Sequence, residues 1–128
     1  MYTGNSDRQF EIESDRLGYR PIPLAFMVQP DVTLIQWLED LSPDKPWADR
    51  KKAAQELGAT QSPQALNALL EALPVDPFWM VRCAIIQALE RIGDPRAIPE
   101  LRQMAKRDGF EAVRTYASKA IERLSSLA

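Results

Sequence analysis

The sequence predicts an all-α fold: a short right-handed solenoid of about six helices, stacked as antiparallel pairs behind an extended N-terminal arm. The first observation behind this is a repeat. Slid against itself by 32 residues, the chain brings Asp44, Asp76 and Asp108 into phase, each followed six residues later by an arginine, Arg50, Arg82 and Arg114. Trp47 falls on Trp79, Phe78 on Phe110, Leu57 on Leu89 and Ile121, and Glu90-Arg91 on Glu122-Arg123. Self-similarity at such a period marks stacked supersecondary units, none of which can bury its apolar face alone. The second observation is helical spacing of apolar residues within each unit. The third is punctuation: proline, glycine and capping residues recur where one helix should stop and the next begin.

Residues 1–30 are read as an arm. Residues 1–16 are polar with isolated Tyr2, Phe10 and Ile12, whereas Leu17, Tyr19, Ile22, Leu24, Phe26, Met27 and Val28 are too apolar to leave in water. Prolines 21, 23 and 30 keep this part extended. It should fold back over the solenoid or dock on another chain, including a second copy, and folding back is the favoured expectation. Residues 31–128 form the solenoid. A helix from Asp31 to Leu41 carries Leu34, Trp37, Leu38 and Leu41 on one side. The next unit has a first helix near Trp47 to Leu57 that should end around Gly58, then Ser62-Pro63 as cap and start of a second helix bearing Leu66, Leu69, Leu70 and Leu73.

The clearest unit follows. Asp76-Pro77 offers an N-cap and a first-turn proline, and Val81, Ala84, Ile85, Ala88, Leu89 and Ile92 make one buried stripe of a helix ending at Gly93. Asp94-Pro95 restarts a helix to about Lys106, with Ile98, Leu101 and Ala105 inward. Gly109 to about Ser126 repeats the first type of helix. At the phases of Val81, Ala84 and Ala88 the preceding unit has Asp49, Lys52 and Glu56, while Arg102 and Ser118 replace Leu70 and Ile86 at the other end. Polar ends of this kind are what a soluble, complete solenoid requires.

Composition excludes much chemistry. With no histidine and one cysteine, Cys83, there is no His/Cys metal site, no Ser-His or Cys-His nucleophile pair and no internal disulfide. No catalytic residue, metal or cofactor is expected, and the chain is not expected to be an enzyme. No run approaches the roughly 18 apolar residues of a membrane span, and the N-terminus lacks the apolar stretch of a signal peptide, so a cytoplasmic protein is expected. Charge is uneven: residues 1–76 hold 7 Lys/Arg against 12 Asp/Glu, residues 77–128 hold 9 against 6. Such polarity orients a charged partner, although solubility alone also spreads charge in this way.

The Asp-x5-Arg pattern, an apolar helix and the segment Ile92-Gly93-Asp94-Pro95-Arg96-Ala97-Ile98-Pro99-Glu100-Leu101 resemble HEAT repeats. More narrowly, they resemble the short HEAT-like repeats named after phycobilisome lyases. The resemblance covers residues 31–126. Tetratricopeptide and ankyrin signatures are absent. The resemblance implies that Asp44, Arg50, Asp76, Arg82, Asp108 and Arg114 form a ladder of side chains between neighbouring units, in keeping with the rule that partly buried charges persist only when paired. It also implies that the second helices line a concave surface, with Gln36, Glu39, Gln64, Asn67, Glu71, Arg96, Glu100 and Gln103 on their solvent side.

An amide-rich, mixed-charge set suits a protein partner, with Tyr19 and Phe26 of the arm as further candidates. Nucleic acid is disfavoured, since such a domain should be basic and this one has a pI near 5.2. The expected function is a non-catalytic interaction module, an adaptor, assembly factor or small chaperone. The alternative implied by the resemblance is an assembly factor for phycobiliproteins or a photosynthetic complex, or a bilin lyase-like subunit. Trp47 and Trp79 are expected to pack between units. Cys83 shares its phase with Lys51 and Thr115, toward the polar side, which predicts an accessible thiol with Arg82 and Arg91 lowering its pKa.

Overall fold

In the computed structural model the described residues are 33–127. The arm, its Tyr19 and Phe26, the expected helix start at Asp31 and the question of folding back all lie outside them. Within the described residues the backbone is helical, with no strand. Helix α1 covers residues 33–40. Helices α2 (Trp47–Thr60) and α3 (Pro63–Ala72) make one pair. Helix α4 (Trp79–Ile92), a short 3-10 turn (Pro95–Ala97) and α5 (Ile98–Arg107) make the next, and α6 (Glu111–Leu127) follows. This is a short all-α solenoid of six helices among the described residues.

Local chemistry sets most of the boundaries. Ser62 Oγ accepts from the Gln64 amide at 3.1 Å with Pro63 in the first turn of α3. Asp94 accepts from the Arg96 amide at 2.9 Å, but the turn it starts is first 3-10 and only then α-helical. Asp76 and Asp108 accept from the amides two residues on, Phe78 (3.0 Å) and Phe110 (2.9 Å). The helices therefore begin at Trp79 and Glu111, two residues later than Pro77 and Gly109 suggest.

One boundary corrects the sequence reading. Gly58 does not end α2, which runs on to Thr60 and stops at Gln61 in the left-handed conformation, φ 59°. Gly93, with φ 79°, is the residue in phase with Gln61. Gly58 answers a packing demand instead. A Cβ there would sit 2.8 Å from Ala88 Cα and from Ala88 Cβ, so α2 and α4 cross where only glycine fits.

The first helices of the units, α2, α4 and α6, pack directly on one another, and small residues at the contacts (Ala53, Ala54, Ala84, Ala88, Ala117, Ala120) let them approach. The second helices α3 and α5 pack on the first helices rather than continuously on each other. Leu57, Leu69, Leu73, Ile85, Leu89, Leu101 and Leu124 fill the core between the layers. Met104, missed by the sequence reading, is buried on α5 as well. Each large apolar side chain so buried contributes about 1.5–3 kcal/mol. Asp49, Lys52 and Glu56 on α2, and Arg102 and Ser118 toward the other end, are exposed.

A candidate protein-binding face beside an arginine–aspartate ladder

Among the described residues buried charge lies at the joints between units, and there it is paired. Arg50 on α2 donates through Nε to Asp76 Oδ2 at 2.9 Å and through Nη2 to Oδ1 at 3.2 Å. Its Nη1 donates back to the carbonyl of Lys45. One period later Arg82 repeats the fork on Asp108, at 2.7 and 3.0 Å, with Nη1 on the Asp76 carbonyl at 2.9 Å. Planar, bidentate charge-assisted pairs of this kind are the strong hydrogen bonds of proteins. Arg114 keeps only the inward half of the pattern: its Nη1 donates to the Asp108 carbonyl at 2.7 Å, and no described carboxylate meets the rest of its fork. Asp44 is exposed and bonds to the Ser42 hydroxyl. The residue two beyond it is Pro46, which has no amide hydrogen to offer.

Two of the ladder aspartates, Asp44 and Asp108, respond to their surroundings. Burial pushes the Asp108 carboxyl up, but the hydrogen bonds from Arg82 and the Phe110 amide, with the charges of Arg82 and Arg114, outweigh it and leave its pKa lowered. Asp44 also titrates low, chiefly because Ser42 and its own backbone hydrogen-bond to the carboxylate. Among the described residues every buried side-chain nitrogen and oxygen has a hydrogen-bond partner.

Aromatic rings run beside the ladder. Trp47 meets Phe78 edge-on at 5.0 Å, Phe78 meets Trp79 at 6.3 Å, and Trp79 stacks on Phe110 at 5.6 Å. Arg82 lies over the Phe110 ring. Trp79 is half-buried, but Trp47 and Phe110 at the two ends of the row are exposed. Trp47 does pack between units, against Phe78 of the next one, yet it stays 45% exposed. Cys83 corrects the sequence reading. It is buried, on a helix, α4, that packs against both α2 and α6. Burial first, then the nearby Asp108 charge, raise its pKa against the opposing effect of Arg82. The thiol is neither accessible nor activated.

Two grooves open on the side of the second helices. The larger, about 450 Å3, is lined by Pro74, Arg82, Glu100, Gln103, Met104, Arg107, Asp108 and Gly109. The smaller, about 250 Å3, is lined by Leu38, Leu41, Ser42, Pro43, Ala68, Glu71, Ala72, Val75 and Asp76. They are one feature seen twice: Ser42, Glu71, Ala72, Val75 and Asp76 are in phase with Pro74, Gln103, Met104, Arg107 and Asp108. Of the residues nominated from sequence, Glu71 lies in one groove and Glu100 and Gln103 in the other. Gln36, Glu39, Gln64, Asn67 and Arg96 are exposed on the same helices or turns but line neither groove. Gln36 bonds to Asp40, and Arg96 folds back on Asp94 at 2.7 Å. Sequence reasoning misses Val75, Arg107 and Met104; moving the ladder aspartates' neighbours by one period would find them.

The family model for HEAT repeats matches residues 32–122. The chain belongs to the HEAT-repeat family. Comparison with curated proteins finds no match. HEAT repeats generally mediate protein–protein interaction, and the helix pairs, ladder and grooves above are the HEAT units of this chain. Among the described residues no three metal-binding side chains gather, and no helix is long and apolar enough to cross a membrane.

Proposed function

We propose that this HEAT-repeat chain is a non-catalytic interaction module, an adaptor, assembly factor or small chaperone. Its partner is another protein, held along the second-helix side and in the cytoplasm. One observation carries the reading: two grooves recur at the same phase of successive repeats, one walled by Leu38, Leu41, Ala68, Ala72 and Val75, the next by Arg82, Glu100, Gln103 and Arg107. A segment lying across both would bury apolar side chains in the first and satisfy charged ones in the second. Extended solenoid surfaces bind in this way. Arg82 and Asp108 then serve the scaffold and form part of the groove wall.

Photo-crosslinking residues placed at Glu71 and Gln103 test this in the native host. Both should capture the same protein, while one placed at exposed Gln87 should not. Val75→Glu and Arg107→Glu should each weaken that capture with an unchanged melting curve. Recovery of uncrosslinked protein alone, at every salt concentration, rejects the module. The narrower reading, an assembly factor for phycobiliproteins or a bilin lyase-like subunit, rests on the segment from Ile92 to Leu101. A spectral shift on adding free bilin or an apo-phycobiliprotein would support it.

A further inference from the structure

We propose that copies of this chain associate head to tail, the Arg114 end of one receiving the Asp44 end of the next, so that the ladder continues between molecules. The ladder itself is the first argument. Arg50 and Arg82 each use one nitrogen for a carbonyl of their own unit and two for the carboxylate of the next. Arg114 has made the first kind of bond, to the Asp108 carbonyl, and its other donors meet no described carboxylate. Asp44 is the same rung position as Asp76 and Asp108, and among described residues it accepts from Ser42 rather than from any arginine. Among the described residues, an arginine without a carboxylate and a carboxylate without an arginine thus stand at opposite ends of the repeated ladder.

The rings and the helix order agree with that pairing. Phe110 at one end and Trp47 at the other are exposed, and each already meets one aromatic neighbour inside the chain, Trp79 and Phe78. The described helices alternate second type, first type, from α1 to α6. A copy placed beyond α6 presents its α1, the type the alternation requires, and its Asp44 then follows in register. Charge favours the same polarity. Residues 33–76 carry 4 Lys/Arg against 7 Asp/Glu, and residues 77–128 carry 9 against 6. The exposed residues at the two ends are polar, with Asp49, Lys52 and Glu56 on α2 and Ser118 and Lys119 on α6. The contact is accordingly one of ion pairs, reversible and sensitive to salt. A head-to-tail contact uses two different surfaces and leaves one of each open for the next copy.

Sedimentation velocity of the full chain tests the proposal. At low salt the wild-type weight-average mass should rise with concentration in steps of one chain, and should return to the monomer near roughly 0.5 M salt, where charges are screened within several ångströms. Asp44→Arg and Arg114→Asp should each stay monomeric. Mixed together they should chain again in strict alternation, because Arg114 of one meets Asp44 of the other and the exchanged charges meet at the next contact; the double variant, which has only exchanged contacts, should chain as the wild type does. A wild type that is monomeric at every concentration overturns the proposal, as would a ladder carboxylate supplied from within the same chain. Association that survives both single variants overturns it too, and points to another surface. Circular dichroism melts of Asp44→Arg, whose site is exposed, confirm that loss of association is not loss of fold.

Discussion

Ala68, Ala72 and Val75 wall the groove beside the first rung, and one period later Glu100, Met104 and Arg107 stand at the same places. The rungs beside those grooves do not change: Arg50 with Asp76, then Arg82 with Asp108. The difference separates two kinds of position. A charge taken into the joint is tolerated only with its partner, so the rung is held by desolvation. The parts of a groove wall away from the rung, such as Val75 and Arg107, face water and are free to set what binds. Repetition in this chain therefore describes the scaffold, while departure from repetition describes the surface.

Breaking the rungs should give the largest effects. The first is the more buried, with side chains 6% and 2% exposed against 12% and 4% for the second. Asp76→Ala leaves the Arg50 guanidinium buried and unpaired and also removes the acceptor for the Phe78 amide. It should cost about 3–5 kcal/mol, the usual penalty for one member of a buried pair, and Asp108→Ala should cost less. Urea denaturation measures both; equal costs would show that burial does not rank the rungs. The second rung has a pH signature. Asp108 titrates below its ordinary 3.8 in the fold, so the unfolded chain binds the proton more readily. The stabilisation is complete above about pH 4 and is lost as pH falls through the lowered folded-state value. Asp108→Asn should flatten that part of the stability profile.

A smaller effect tests a close helix contact against an open turn. Gly58→Ala places a methyl 2.8 Å from the Ala88 backbone, where no flexible side chain can yield. The first helices must then separate, at about 1–3 kcal/mol, typical of overpacking. At Gly109 an added methyl would meet nothing within 4 Å, so Gly109→Ala should leave the chevron and the melt nearly unchanged.

How much of this is legible in the sequence follows from the same division. Spacing that sets helices, proline starts and the 32-residue register is local and repeated, so α2 to α6 are readable to within a few residues. Cys83 is misplaced by its phase-mates, because Lys51 and Thr115 are polar; it is buried all the same, on a helix packed from two sides, and a neighbour's coverage is not written in the helix's own period. Gly58 misleads because glycine serves both a left-handed turn and a close approach, and sequence does not distinguish them. The grooves are half legible. Glu71, Glu100 and Gln103 are polar and outward, but Val75 and Arg107 lie at or beyond the ends of the second helices, where helical periodicity says little of direction.

The smallest effect concerns the helix stop. Gln61 and Gly93 occupy one phase and one conformation, φ 59° and 79°. For a residue with a Cβ this region costs about 1–2 kcal/mol. At Gly93 an added Cβ meets only Leu127 Cδ1, at 3.8 Å, so Gly93→Ala should lose that backbone cost and little else. Gln61 already bears the cost, partly offset by a long hydrogen bond from its Nε2 to the Arg91 carbonyl at 3.4 Å. Gln61→Gly relieves the strain, gives up that bond and adds freedom to the unfolded chain. The balance should be a gain of up to about 1 kcal/mol, read as a small rise in melting temperature. If Gln61→Gly is instead destabilising, the contact with Arg91 holds the joint between α2 and α4, and the glutamine is there for its side chain.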